Sequence, residues 1–573
     1  MEKNKKMRVV VIGGVAAGPK TAARLRRINP EAEITIIERG KVLSYAGCGL
    51  PYFVGGDIPE PKGLTNTPAG YMRDTAFFRD VKGIEVLDRT NAEAIDRSRK
   101  TVSTVNVESG EKKTIPYDKL VLATGGTPVA VNVPGIDLRQ VYRIYLPEDA
   151  IALRDAIFDR DVKNVSIVGA GLIGMEMAEA FVKQGVHVSM VEMMPQILPG
   201  VLDEEISAYL LKYVKEQKID VHLNTRLTGI VGDSQGNPVK VQSSGPEIPA
   251  DMVVIAVGVR PNSKLARDAG LELGPFGDIK VNEFLQTSDP DIYAGGDCVG
   301  NVHKVSGKTI FAPMGSTANK HGRIIADNIM GAGERWKGVL GTSVVKVFRY
   351  NVGKTGLTEN QAREAGFDAV SALVPSTDVP HYYPTSKLFL LKLTADRKTR
   401  KLLGFQGVGP GEVAKRIDVL AACLNFGGTL EDLADIDLGY APPYSTAIDI
   451  SATAANVIRN KLDGIARSET PAQVNAQLKE KRDFIFLDVR SAAEHGKKRI
   501  DDPRVKLVPL HEVRRKAAEL PRDKKVVTLC KAGLRAYEAQ AMLEGAGLKD
   551  VTFMDGGIEA WPFETRSEEK KEK

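Results

Sequence analysis

Apolar residues dominate MRVVVIGG (7–14), recur at helical spacing through TAARLRRI (21–28) and dominate again in EITIIE (33–38). Short apolar runs bounded by glycine or charge read as buried strands, and the 3.6-residue recurrence between them reads as an amphipathic helix. The same succession of strand, helix and strand returns in NVSIVGAGLIGMEMAEAFVKQGVHVSMVE (164–192). Residues from about 335 to 460 read as mixed strands and helices without that signature.

In both units the first strand runs straight into glycines that open the helix. The first loop is GGVAAG, with Gly13, Gly14, Ala16, Ala17 and Gly18, and Val15 stands where the usual pattern has its middle glycine. The second has the full pattern, Gly169, Gly171 and Gly174. Such a turn lays a dinucleotide pyrophosphate on the helix N-terminus, and an acid at the end of the next strand takes the ribose hydroxyls. Glu38, twenty residues after Gly18, and Glu192 hold those places. No arginine follows Glu192 directly, which favours NADH over NADPH. Two nucleotide sites in one chain imply a hydride relay from NADH through a second cofactor to a terminal acceptor.

Two further segments, LVLATGG (120–126) and DIYAGGDC (291–298), resemble the FAD-domain segments of the two-dinucleotide disulfide oxidoreductases. The resemblance implies that Asp297 meets the ribityl chain or pyrophosphate of the flavin, and that Arg39, Ser44, Thr124, Gly125, Gly258 and Ala312 join the cofactor-binding positions. The acceptor chemistry falls to Cys48, in SYAGCGLPYFVGG (44–56). Dithiol members of that superfamily use two cysteines close in sequence, whereas Cys298, Cys423 and Cys530 all lie far from Cys48 in the chain. A single cysteine forms a mixed disulfide, a persulfide or a sulfenic acid. Members that reduce peroxide or oxygen carry a histidine in the first glycine loop, and Ala16 stands at that place. SYAGCGLPY resembles the active-site segment of coenzyme A disulfide and persulfide reductases, with Ser44 and Cys48 matching and Gly47 where asparagine is frequent.

A second sulfur chemistry lies in CKAGLR (530–535). A cysteine on a tight loop, with backbone amides around the sulfur and the guanidinium of Arg535 closing it, favours the thiolate and can hold a sulfane sulfur. With LDVRSAAEH (487–495) and MDGGIEAW (554–561), this loop resembles the rhodanese sulfurtransferases over residues 468 to 563. Six residues from Cys530 to Arg535 fit sulfur in that family, while related phosphatases use a longer loop. After Glu494 the chain reads HGKKRI, where rhodaneses usually have an aromatic residue and a Gly-His-Ile turn.

The middle segment resembles the dimerisation domain of the flavoprotein superfamily. Its HYYP (381–384) and GYAPPYS (439–445) are similar to segments that bring tyrosines to the other subunit's cysteine in coenzyme A disulfide reductases, which implicates Tyr440 first and Tyr382 or Tyr383 second. Lys20, Arg24 and Arg27 recur at helical spacing, and Lys20 and Arg24 join Ser44 and Cys48 as expected contacts of coenzyme A. A solvated basic face is the plain alternative.

With 573 residues and 43% hydrophobic content, the chain can bury several cores. The expected fold is α/β: two Rossmann-like domains for FAD (1–150 with 261–334) and NAD (151–260), an α+β dimerisation domain (335–462), an α/β rhodanese domain (468–565), and a disordered tail (566–573). Four scattered cysteines suit a reducing compartment. The basic N-terminus passes into the first strand without an apolar signal region, and no apolar run approaches transmembrane length, so a cytoplasmic protein is expected. A net charge of +6, dispersed among acids, does not call for nucleic acid, and no Cys/His spacing calls for a metal. The expectation is a homodimeric, FAD- and NADH-dependent persulfide or polysulfide reductase, with a rhodanese domain relaying sulfur and coenzyme A as bound substrate or cofactor. The alternatives are a coenzyme A disulfide reductase for thiol homeostasis with an independent sulfurtransferase domain, and a non-enzymatic redox sensor.

Overall fold

The computed structural model describes residues 6–159 and 162–567. It divides into two compact units, Met1–Pro195 with Lys218–Val339, and Gln196–Gln217 with Leu340–Lys573.

The first unit contains two parallel sheets. In one, the strand Arg8–Ile12 lies between Glu33–Ile37 and Lys119–Leu122, with Ile292–Ala294 and Glu85–Leu87 at the edges. Val9, Val11, Ile36 and Val121 are fully buried and pack with Leu25 of the helix Ala17–Ile28 and with Ile325 and Ala326 of the helix Gly315–Ile329. This two-sided burial is why the strands read as continuous apolar runs rather than alternating ones. All five strands point the same way, so their carboxyl ends bring together Gly13, Glu38, Thr124 and the loop of Asp297 at one edge, where open α/β sheets bind ligands. The second sheet follows the same logic in the order Asp220–His222, His187–Val191, Asn164–Val168, Met252–Ile255, Val141–Arg143, again all parallel.

The second unit joins an antiparallel sheet to a parallel one. The antiparallel sheet runs Ser343–Val347, Tyr350–Gly356, Leu402–Gly409, Leu388–Asp396, Ala369–Thr377, and the helices Val413–Asn425 and Ile450–Leu462 pack on it. The parallel sheet, Ser468–Glu469, Val551–Met554, Lys525–Leu529, Phe484–Asp488, Val505–Leu507, forms the C-terminal α/β layer. The Lys461 ammonium links the two layers, donating to the carbonyl of Ser371 at 2.8 Å and to Asp555 at 2.6 Å. Arg566, expected in the tail, exchanges backbone hydrogen bonds of 2.8 Å with Arg499, so chain order extends through that residue; the rest of the expected tail from 568 onward lies outside the described residues.

The helix Glu204–Glu216 falls inside the stretch 151–260 expected to bind NAD, yet it belongs to the second unit. The Lys392 ammonium, 2% exposed, meets Asp203 at 2.9 Å, Glu205 at 2.6 Å and Glu359 at 2.8 Å. Burial works against the Lys392 charge, but the three carboxylates outweigh it and raise its pKa. Burial likewise works against the Asp203 and Glu359 carboxylates, and Lys392 outweighs it and holds both low. We predict that Lys392→Met lowers stability by about 3–5 kcal/mol at neutral pH, because Asp203 and Glu205 lose the buried ammonium that pairs with them and Glu359 keeps only Arg363 as its cation. Asp203 and Glu359 have depressed folded-state values, so the wild-type advantage is present above the ordinary carboxylate range and fades as pH falls through it. Urea midpoints of the two proteins that differ equally at pH 7 and pH 3 would contradict this.

Candidate functional site

The first glycine loop is shaped by close approach. Gly13 has φ +114°, and a Cβ there would meet the carbonyl of Ala123 at 2.1 Å; a Cβ on Gly18 would meet the carbonyl of Gly13 at 1.9 Å. No other residue fits either position without moving backbone. Glu38 accepts the amides of Gly14 at 2.6 Å and Gly40 at 2.7 Å, which fixes the carboxylate at the strand end. Ala16 precedes the helix that begins at Ala17, and Arg39 is exposed beside Glu38. The second loop repeats the construction: Gly169 has φ +106°, a Cβ on Gly174 would meet the Gly169 carbonyl at 2.1 Å, and Glu192 accepts the amides of Ala170 at 2.7 Å and Met194 at 2.8 Å. A Cβ on Gly171 meets nothing within 4 Å, so its open side is a cradle that a side chain would fill.

Asp297 stands at the first loop without a counterion among the described residues, and burial pushes its carboxyl up to about 6. A half-buried carboxyl aimed at no protein partner suits hydroxyls brought by a ligand. Thr124 and Gly125 are clamped by Asn262: the Thr124 hydroxyl donates to the Asn262 carbonyl at 2.6 Å, and the Asn262 amide donates to the carbonyls of Thr124 at 2.9 Å and Gly126 at 2.8 Å. Gly258 has φ +97°, and Ala312 lies in the loop before the helix Gly315–Ile329. On these observations the first loop fits FAD and the second a pyridine nucleotide.

Ser44 adopts φ +47°, unusual for a residue with a side chain, and is held there by its amide donating to Gly14 at 2.8 Å and by Arg73 donating to its carbonyl at 2.8 Å. The turn presents Cys48 as an exposed residue in the short helical turn Gly47–Gly49. Partial burial of the thiol pushes its pKa up, and the charges of Glu176 and Asp297 push the same way. Of the expected coenzyme A contacts, Lys20 is exposed, while Arg24 pairs through Nε with Asp327 at 2.8 Å. Helical spacing shows which face a cation occupies, not which acid lies opposite. Arg27 is exposed.

In the second unit, Tyr382 and Tyr440 are both exposed, and the Tyr382 phenol is raised by desolvation, then by the neighbouring Tyr440. Tyr383 is half-buried and bonds through its amide to the Pro380 carbonyl at 2.8 Å.

Cys530 is 1% exposed and receives the Gly533 amide on its sulfur at 3.1 Å. Gly557, with φ +57°, backs the loop; a Cβ there would strike the Cys530 carbonyl at 2.5 Å. The guanidinium of Arg535, expected to face the sulfur, forms a two-point pair with Glu494 at 2.7 and 2.9 Å and holds that carboxyl at about 2. Asp488, fully buried, accepts from Arg490 at 2.6 Å and contacts His495 Nδ1 at 2.8 Å. Cys298 is buried in the core of the first sheet, its thiol facing the carbonyls of Leu122 and Gly295.

Parallel sheets ending in two glycine cradles, each with an acid at the next strand end and an exposed cysteine in the same unit, define a flavin- and pyridine-nucleotide-dependent oxidoreductase. The chain belongs to the pyridine nucleotide-disulphide oxidoreductases: residues 7–316 match that family, 342–452 match its dimerisation domain and 470–563 match the rhodanese-like domain. Members of the family work with FAD and NAD(P)H. The chain is 42% identical to a solved NAD-dependent persulfide reductase from A. fulgidus, covering 97% of this chain and 100% of that one, with a TM-score of 0.92. It is 33% identical to the CoADR-RHD of Bacillus anthracis over 97% and 98% of the two chains, with a TM-score of 0.90. It is also 38% identical, over 79% of its length and 98% of the relative's, to the CoA-dependent NAD(P)H sulfur oxidoreductase of Pyrococcus abyssi.

Proposed function

We propose that this protein uses NADH to reduce persulfide or polysulfide sulfur, coenzyme A persulfide among them, to sulfide at Cys48, and that its rhodanese domain relays sulfane sulfur through Cys530. The observation that carries this reading is a lone exposed cysteine, on a strained turn anchored to the FAD loop, in a chain that also ends in a complete rhodanese fold. Gly13, Gly14, Gly18, Glu38 and Asp297 hold the flavin, and Gly169, Gly171, Gly174 and Glu192 hold the nucleotide. FAD bound at the first loop supplies two-electron transfer between the nicotinamide and sulfur.

Cys48 provides the nucleophile. Its thiolate attacks the sulfur–sulfur bond of the incoming substrate and expels a thiolate or hydrosulfide, leaving a sulfur adduct on Cys48 that two electrons restore. The exposed, neighbouring phenols Tyr440 and Tyr382 are assigned to protonate a leaving sulfur. Glu192, with both oxygens bound to backbone amides, is a fixed negative charge at the ribose position that suits NADH better than a 2′-phosphate. Lys20 is assigned to the phosphates of coenzyme A. Residues 342–452 are assigned to a homodimer interface, for which the exposed Tyr382, Tyr440, Tyr444 and Ile448 supply apolar surface. Among the described residues no helix is long and apolar enough to cross a membrane, and the four free cysteines suit a reducing compartment, for which the cytoplasm is proposed.

The likeness to a CoADR-RHD supports a second reading, coenzyme A disulfide reduction for thiol maintenance. Anaerobic NADH oxidation and sulfide release by the FAD-loaded protein, compared on coenzyme A persulfide, polysulfide and coenzyme A disulfide, separates the two. We expect kcat/KM on coenzyme A persulfide to exceed that on the disulfide by about tenfold or more, a gap of about 1.4 kcal/mol in transition-state binding. A preference for the disulfide makes thiol maintenance the function.

A further inference from the structure

The two segments that carry Tyr382 and Tyr440 hang from one buried side chain. Arg416, near the start of the helix Val413–Asn425, is 2% exposed, and Asp449, which caps the helix Ile450–Leu462, is 5% exposed. Arg416 Nε and Nη2 donate to Asp449 Oδ2 at 3.0 and 2.8 Å, and Nη1 donates to the Glu412 carbonyl of its own helix at 3.2 Å. Nη2 also donates to the carbonyl of Asp378 at 3.0 Å. Asp378 closes the loop 378–387: its amide donates to the Lys387 carbonyl at 3.0 Å, and its carboxylate accepts the amides of Val379 at 3.0 Å and Lys387 at 2.8 Å. Tyr382 sits within that closed loop. On the other side, the buried Ser445 hydroxyl donates to Asp449 Oδ2 at 3.1 Å, and the amides of Tyr444 and Ser445 donate to the Ala441 carbonyl at 2.8 and 3.2 Å, so the turn that follows Tyr440 is tied to the same carboxylate.

We propose that Arg416 is a positioning residue for the phenols: by holding the Asp378 carbonyl and the Asp449 carboxylate with one guanidinium, it fixes the loop of Tyr382 against the loop of Tyr440. The inference rests on the assignment of those phenols to protonation. Tyr382 is 64% exposed and Tyr440 51%, so packing does little to place either ring and the backbone beneath must do it. A guanidinium suits that task, since it is planar, always charged, and sends its donors out at fixed angles to several acceptors at once. A lysine ammonium is a point charge on a flexible stem: it can meet the Asp449 carboxylate, but it has no fork to span that carboxylate and the Asp378 carbonyl in one geometry. Buried as it is, Arg416 presents no charge to a substrate and acts only through the two loops. A proton donor shifted by a fraction of its hydrogen-bond length loses much of its effect.

Amide hydrogen exchange, read by mass spectrometry on segments 378–387 and 439–449 of the FAD-loaded wild type and Arg416→Lys, tests the coupling. Exchange is expected to rise in both segments together, by about tenfold, while the strand Leu388–Asp396 stays protected. Unchanged exchange, or a rise in one segment alone, overturns the proposal. If Arg416→Lys does not fold, Arg416→Met combined with Asp449→Asn decides by the same readout: it leaves no buried charge unpaired, and asparagine can still cap the helix at the Ser451 amide, which reaches Asp449 at 3.0 Å. Turnover of coenzyme A persulfide gives the functional readout. In Arg416→Lys, kcat is expected to fall about tenfold with KM unchanged. Tyr440→Phe is expected to cost about threefold less in that background than in wild type, because a misplaced phenol has less to lose. Equal costs in the two backgrounds overturn the positioning role. A Tyr440→Phe protein as active as wild type would instead remove that phenol from the proposed reaction, and the exchange profiles would still decide whether Arg416 holds the two loops, so the two readings fail separately.

Discussion

Replacing Cys48 by serine is expected to abolish NADH-driven sulfide release, by about a thousandfold or more, while leaving FAD bound. A serine hydroxyl neither ionises near neutral pH nor forms a reducible sulfur adduct, so loss of this group removes the covalent route rather than weakening it. The cofactor should stay, because the residue is exposed and the FAD loop is held by Gly13, Gly18 and the Glu38 carboxylate, none of which touches the thiol in the hydrogen-bond pattern. Flavin absorbance and sulfide release on coenzyme A persulfide give the two readouts. Turnover surviving in the variant would remove Cys48 from the mechanism.

Cys530→Ser is expected to divide the substrates instead. Sulfur transfer from thiosulfate or polysulfide to a thiol acceptor should fall by about a thousandfold, since the oxygen cannot carry a sulfane sulfur, and sulfide production from polysulfide should fall about tenfold. Reduction of a pre-formed coenzyme A persulfide should be unchanged. The substitution preserves shape in a fully buried loop, and the Gly533 amide that reaches the sulfur at 3.1 Å can reach an oxygen, so folding is spared. Equal losses on both substrates would contradict a relay. The pairing of Arg535 with Glu494, which holds that carboxyl at about 2, keeps the wall beside this loop in one charge state throughout the neutral range, so transfer at Cys530 should not vary with pH through Glu494.

What the sequence discloses about this molecule is what sequence neighbours decide. The glycine loops, their helices and their terminal acids lie within some thirty residues of each other, and Gly13, Gly18, Gly169 and Gly174 are each demanded by an approach to a carbonyl that strand, turn and helix alone create. The cysteine loop of the C-terminal layer is legible for the same reason. Pairings across long stretches of chain are not. Tyr52 with Glu176, Asn262 with Thr124, and Lys392 with Asp203 and Glu205 join segments whose meeting is set by tertiary packing. Amphipathic spacing announces that the helix Glu204–Glu216 buries a face, but the partner of that face is fixed by a buried lysine nearly two hundred residues away. Arg24 and Arg535 likewise lie in ion pairs with acids that no local pattern names.

The Lys461 link has a consequence for traffic. With Asp555 tied to Ser371 through that ammonium, and Gly556 against Leu373, the strand end that backs the Cys530 loop is bolted to the antiparallel sheet. The few residues between the helix Ile450–Leu462 and the strand Ser468–Glu469 are then a seam rather than a leash. Cys530 is therefore a port fixed to the antiparallel sheet of its own unit, and the short connection does not swing it away from that sheet.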